Sequence, residues 1–135
     1  MTFTVRPIAP SDLAVVNTIG EEKHWALTSA PSGTVRLAGE DRDPAFAYLC
    51  TKGDTVLGWV YGAHRPPESG YNAVDRIIVA SQHRNRGVAR ALVTHVLTAF
   101  PNTEMLMAAW EPDLVAFYNA LGFREDDDGN MTNKP

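Results

Sequence analysis

Val74-Asp75-Arg76-Ile77-Ile78-Val79-Ala80-Ser81-Gln82-His83-Arg84-Asn85-Arg86-Gly87-Val88-Ala89 is the stretch on which the fold of this chain turns. Its first six residues form a near-continuous β-branched run, the pattern of a buried central strand. From Gly87 onward Val88, Ala91, Leu92, Val96 and Ala99 recur at helical spacing until Pro101-Asn102 stops them. The loop between strand and helix carries Arg84 and Arg86, with His83 and Arg90 close by. Such a strand, basic turn and helix start can seat a phosphate, because the first helical turn exposes unpaired backbone N–H groups and the positive end of the helix dipole. Gly87 removes the side chain that would block the approach, and Asn85 tolerates left-handed backbone better than most residues. A first helical turn accepts Glu readily, so Gly87→Glu is expected to remove the anion site without unfolding the chain. Taken by itself, the segment also fits an ordinary helix start with solvated arginines.

Working outward, Val5 to Ile8 reads as a short strand, and Pro10-Ser11-Asp12 caps a helix carrying Leu13, Val16, Asn17 and Ile19 that ends near Gly20. Glu21 to Arg42 is poorly patterned, broken at Pro31-Ser32-Gly33 and Gly39-Glu40-Asp41, with Val35-Arg36-Leu37 assigned to a short second helix. Ala45 to Thr51 and Thr55 to Gly62 are apolar runs flanking Lys52-Gly53-Asp54, a hairpin signal. After the irregular His64 to Gly70 come the quoted strand and helix, then a buried strand at Met105 to Trp110. Pro112 opens a last helix whose Leu114, Phe117, Tyr118 and Leu121 share a face, and Gly122 supplies a left-handed cap. Glu125-Asp126-Asp127-Asp128 reads as a solvated turn in a polar tail.

At 135 residues and 44% apolar content the chain fits one domain, residues 1–135, with one core and one site. No stretch has the roughly 18 apolar residues of a membrane span, and Met1 to Arg6 lacks the apolar block of a secretory signal. A soluble, cytoplasmic protein is expected, with no membrane partner. Cys50, the single cysteine, sits in an apolar run and is expected to be a buried, inert thiol. Sixteen acidic against twelve basic residues give a net charge of -4, a field that repels nucleic acid and mildly favours a cationic partner. His24, His64, His83 and His95 show no metal-binding spacing, so no metal is expected, and His95 reads as a core-edge residue.

Arg84-Asn85-Arg86-Gly87-Val88-Ala89 resembles the acetyl-CoA signature of the GNAT superfamily of N-acetyltransferases: Gln or Arg, two residues, Gly, one residue, then Gly or Ala. Asn85 stands where Gly is more usual. Ala116-Phe117-Tyr118-Asn119-Ala120-Leu121-Gly122-Phe123 resembles the Phe-Tyr and Leu-Gly-Phe stretch of the family's last helix, in the expected order and context. Val5 to Ile8 looks like the family's first strand, and Leu57 to Val60 like its third. Glu111 appears near where many members have an Asn that contacts the cofactor, so that contact is not carried over, and only Asn130-Met131-Thr132 remains for the last strand.

The resemblance implies an α/β (α+β) GNAT fold: a mixed, mostly antiparallel sheet with splayed fourth and fifth strands and about four helices. It implies acetyl-CoA as acetyl donor, bound by the backbone of Ile77, Ile78 and Val79 and by Arg84, Asn85, Arg86, Gly87, Val88 and Ala89. A strand N–H would polarise the acetyl carbonyl while the amine attacks directly in a ternary complex. Tyr118 matches the family's proton donor to the departing thiolate, although by helical pattern alone it is a core aromatic. For the base, Asp75 ranks before Glu111, His64 and Glu68; it alternates with Ile77 and Val79, and equally suits an ion pair with Arg76 or Arg65. His24 and Trp25 either line the acceptor site or plug the core. The acceptor is expected to be a primary amine of a small molecule. Protein lysines or N-termini, or a non-catalytic acetyl-CoA sensor, are the alternatives, and a homodimer is allowed.

Overall fold

The computed structural model describes residues 2–63, 72–84, 86–101, 103–105, 112–125 and 131–132. Strand β1 (Thr4–Pro7) leads through a 3-10 turn (Pro10–Asp12) into α1 (Leu13–Gly20). Asp12 secures that entry: its carboxylate accepts the Ala9 N–H at 2.8 Å and pairs with Arg6 at 2.8 Å and 2.9 Å. The Arg6 guanidinium holds the Asp12 carboxyl below the usual carboxylate range.

Two short strands follow, β2 (Leu27–Ser29) and β3 (Val35–Leu37), paired antiparallel with Leu27 opposite Leu37. The short helix expected at Val35-Arg36-Leu37 is therefore a strand. Val35 and Leu37 are buried while Arg36 points outward to Asp43, an alternation of period two that a helix cannot supply. Distant partners fix the hairpin. The Asn17 amide donates to Leu27 O at 2.9 Å and accepts from Leu27 N at 2.8 Å, and Leu37 N donates to the Tyr61 hydroxyl at 2.9 Å.

Strands β4 (Phe46–Lys52) and β5 (Thr55–Ala63) form the expected antiparallel hairpin, and β5 pairs in turn with β6 (Asn72–Val79). Helix α2 (Val88–Ala99) then crosses over to β7 (Thr103–Met105), which runs parallel to β6, as a parallel pair requires. The strand anticipated at Met105 to Trp110 thus begins at Thr103; its remainder, 106–110, lies outside the described residues, and with it any splay between β6 and β7. Helix α3 (Pro112–Ala120) leads to β8 (Arg124–Glu125) and β9 (Met131–Thr132), and the sheet order is β1-β4-β5-β6-β7-β9-β8. The pairing of Arg124 and Glu125 with β9 was not apparent from their polar sequence. Three α-helices are present among the described residues, one fewer than expected, because of the β2–β3 hairpin.

The sheet separates two apolar clusters. On one face Ile8, Val16, Leu27, Val35, Leu37, Leu49, Trp59, Tyr61 and Ile78 pack under α1 and the hairpin. On the other, α2 and α3 bring Val88, Leu92, Val93, Val96 and Tyr118 onto Phe46, Cys50, Leu57, Val60 and Val74. Cys50 is fully buried there, and burial pushes its thiol up to about 11, which keeps it protonated and inert. His95 sits at the edge of this layer, its ring 4.6 Å from that of Tyr48.

Trp59 joins the first layer to the sheet. Its side chain is fully buried, and its Nε1–H donates to Val16 O of α1 at 2.9 Å. Trp59→Phe should destabilise the fold by about 1–3 kcal/mol, from the lost hydrogen bond plus the space left by the smaller ring. Urea denaturation checks this; an unchanged midpoint would mean that the layer closes over the loss.

Candidate active site

The opening of α2 has the features of an anion seat. Gly87, its N-cap, adopts φ +88 and ψ 9, and no side chain caps this end. A Cβ at Gly87 would meet nothing nearer than the Phe3 ring at 3.7 Å, so the backbone angle rather than lack of space calls for glycine. The first helical bond runs from Ala91 N to Gly87 O at 3.0 Å. Among the described residues, the N–H groups of Val88, Ala89 and Arg90 consequently have no backbone acceptor. Arg86 and Arg90 are exposed and have no ion-pair partner among the described residues. Asn85 lies outside the described residues.

The left-handed φ changes one expectation. Glu at position 87 would add roughly 1–2 kcal/mol of backbone strain, so Gly87→Glu is not neutral for the fold. Arg84 also differs from a bare phosphate ligand: its Nη2 pairs with Glu22 in the 3-10 turn after α1, and its Nε donates to Val79 O at 3.3 Å. Both side chains of that pair are more than two-fifths exposed, at 45% and 43%, so the pair is weak enough for a more highly charged anion to displace Glu22.

Strand β6 ends at this seat. Ile77 pairs with Val60, Ile78 with Trp59 and Val79 with Gly58, while the β6 residues that pair with β7, among the described residues, are Asn72–Val74. Asp75 is an extra residue: Tyr61 lies opposite Arg76 and the next residue, Gly62, opposite Val74, which leaves Asp75 as a β-bulge. The expected alternation of Asp75 with Ile77 and Val79 is broken there, since Val74 lies in the α2-side cluster and Ile78 in the α1-side cluster.

Of the two settings open to Asp75, the structure shows the ion pair with Arg76. Arg76 Nη1 donates to Asp75 Oδ1 at 2.7 Å and to Asp75 O at 3.0 Å. The guanidinium carbon lies 5.2 Å from the centre of the Trp25 ring, and that ring packs edge-on to Trp59 at 6.1 Å. Trp25 is therefore a core-edge residue that also covers the Arg76 guanidinium. His24 is exposed in left-handed backbone at φ +58. Sequence reading missed Tyr61, whose phenol is buried and accepts from Leu37 N. Burial raises its ionisation above the usual phenol range, and the charges of Glu40 and Asp75 add to this. Glu111, His64 and Glu68 lie outside the described residues.

Tyr118 is buried on α3, its ring 5.2 Å from Phe117 and 6.2 Å from Phe123. The chain reverses there through paired caps: Phe123 N bonds Tyr118 O at 3.1 Å and Gly122 N bonds Asn119 O at 3.1 Å, with Gly122 at φ +98. This is a Schellman end, which explains the Leu-Gly-Phe spelling: glycine takes the left-handed position, and the next residue folds back onto Tyr118. Tyr118 shares one buried cluster with Val74 of β6 and Val88 of α2, so the two sequence motifs meet in space.

The acetyltransferase (GNAT) family profile matches residues 14–123. The chain belongs to this family. Its fold is shared with an acetyltransferase from Thermus thermophilus at a TM-score of 0.70, with 18% identity over 98% of this chain and 94% of the other. The ribosomal-protein-S18-alanine N-acetyltransferase of Escherichia coli matches at 0.67, with 16% identity over 96% and 88%. Spermidine N-acetyltransferase of Vibrio cholerae matches at 0.69, with 17% identity over 92% and 80%. At these identities the likeness establishes the fold alone. Among curated proteins, none matches in sequence.

As a GNAT member the protein is an acetyltransferase whose acetyl donor is acetyl-CoA. The residues present fit that donor, because the uncapped turn at Val88, Ala89 and Arg90 offers N–H donors and Arg86 offers charge to a pyrophosphate. Among the described residues no three His, Cys, Asp or Glu side chains gather as a metal site, and no helix is long and apolar enough to cross a membrane.

Proposed function

We propose that this GNAT protein acetylates the primary amine of a small molecule, bound together with acetyl-CoA and attacking it directly. The observation that carries the reading is the uncapped opening of α2 set at the carboxyl end of β6, a strand that also carries, four residues before that end, a bulge with a carboxylate. Bound there, acetyl-CoA supplies an activated acetyl thioester. The chain's own residues do the rest. Backbone N–H groups of Val88, Ala89 and Arg90 hold the pyrophosphate, and the β6 backbone around Ile77, Ile78 and Val79 orients the arm. An alkylamine, with a pKa of about 10, arrives protonated, so Asp75 takes a proton through water. Tyr118 gives its hydroxyl proton to the departing sulfur, a transfer between groups of similar basicity. The proteins of the same fold include an enzyme for an alanine of ribosomal protein S18 and one for spermidine. The net charge of -4 favours a cationic or neutral acceptor over a polyanion.

Saturating acetyl-CoA should raise the melting temperature by several degrees, since a hundredfold excess over Kd adds about 2.7 kcal/mol to a state that alone binds it. A melting point unmoved by acetyl-CoA would remove the assignment of the site. Release of free CoA with an amine then separates an enzyme from an acetyl-CoA sensor, which would bind the donor and turn nothing over.

A further inference from the structure

The Arg76 side chain is held in an unfinished arrangement. Nη1 makes both of its bonds to Asp75, one to the carboxylate and one to the backbone carbonyl, and the Trp25 ring lies over the guanidinium. Nε, by contrast, is buried with no hydrogen-bond partner among the described residues. Native proteins leave few buried donors unmet, and a charged one is the costliest kind. Nε–H and the adjacent Nη2 form the side-on edge of a guanidinium, the edge that takes a planar carboxylate through two parallel bonds. The side chain is 29% exposed, so solvent reaches the group although it does not reach Nε. A carboxylate can engage that edge only when the guanidinium turns away from Asp75.

Resting on the acetyl-transfer reading above, we propose that the acceptor is a free amino acid, whose carboxylate takes Arg76 and whose amine then faces Asp75. Without acceptor, Arg76 occupies Asp75 Oδ1 and blocks the base; an incoming carboxylate gives Nε the acceptor it lacks and releases Asp75. The two residues are adjacent in the chain, so even with the guanidinium turned away from Asp75 the ligand's carboxylate and amine must be close together. That spacing describes an α- or β-amino acid. It excludes a polyamine, which has no carboxylate, and a peptide N-terminus, whose carboxylate has become an amide. A zwitterion is also indifferent to the overall negative charge. In the transfer, the ammonium first gives one proton to Asp75; the neutral nitrogen then bonds to the acetyl carbon as the thioester C–S bond breaks, the sulfur takes the Tyr118 proton, and the second proton of the nitrogen restores the Tyr118 hydroxyl through water.

The test compares α-amino acids with the amines left by removing their carboxyl groups, for example phenylalanine with phenethylamine and methionine with 3-(methylthio)propylamine, by CoA release. The amino acid should win by about ten- to a hundredfold in kcat/KM, the range for a charge-assisted pair. Arg76→Gln should erase that preference while leaving the acetyl-CoA Kd unchanged. Arg76→Lys, which keeps the charge without the side-on edge, should lose most of it and serves if the Gln variant does not fold. Equal use of both amines by the native chain, a preference for the decarboxylated amine, or a preference that survives Arg76→Lys overturns the proposal. So does acetyl-CoA binding with no amino acid acetylated across the twenty. Failure to bind acetyl-CoA at all overturns instead the reading beneath it.

Discussion

Tyr118→Phe is expected to lower turnover by roughly a hundredfold to ten-thousandfold while leaving the acetyl-CoA dissociation constant within about a factor of two. The change removes one oxygen and keeps the ring between Phe117 and Phe123, where it is buried. The Schellman end that follows α3 depends on the Tyr118 carbonyl rather than its side chain, so the reversal at Gly122 survives. Stability should therefore fall by no more than about 1 kcal/mol, the cost of one hydrogen bond. Proton donation to sulfur is felt only as the C–S bond breaks, which is why turnover and not affinity reports it, and water that partly substitutes sets the lower end of the range. If Tyr118 is purely a core aromatic, the same variant keeps turnover within about twofold and shows only the small stability change. The measurement is kcat and Kd for both proteins with any acceptor that turns over.

Ala89→Glu should weaken acetyl-CoA binding by roughly a hundredfold or more. A carboxylate in the first turn of α2 would lie within a few ångströms of a bound pyrophosphate, and like charges at that range near a protein surface cost about 3–4 kcal/mol per pair. Position 89 is the better probe than position 87 because Ala89 is in helical backbone and only partly buried, whereas Gly87 sits at φ +88. Glu in a first helical turn also interacts favourably with the dipole, so the melting temperature of the ligand-free variant should not fall. Titration calorimetry with acetyl-CoA decides the matter: unaltered affinity places the phosphate site elsewhere.

The parts of the fold that could be read ahead were those whose signal is local and repeated. Val74 to Val79 is long enough to show a β-branched run, α2 repeats its apolar spacing over three turns, and Gly122 marks its own cap. The β2–β3 hairpin was not legible, because three residues hold too few repeats to tell period two from a helix. What decides it comes from afar, from Asn17 and Tyr61, which lie 10 and 24 residues from the positions they hold. β8 is two residues defined only by their partner strand. The anion seat was visible in Gly87 and its neighbours, but the Arg84–Glu22 pair spans 62 residues. The stacking of Trp25 on Arg76 and the bulge at Asp75 likewise depend on a distant partner or on strand register, which composition does not encode.

The bulge at Asp75 also makes β6 unequally tolerant of change in its length. A substitution at Asp75 leaves Val74 facing the α2 layer and Ile78 the α1 layer, as they do now. Deleting that one codon would leave Val74 and Ile78 three positions apart, which uninterrupted pleating places on opposite faces, so neither half of the strand would turn over, whereas deleting a residue from a regularly paired part of β6 would exchange inside for outside along one half. Descendants of this gene are thus freer to lose the residue at the bulge than any regularly paired residue of β6, and an alignment gap at that position would mark a protein that keeps the same two layers on an unbroken strand.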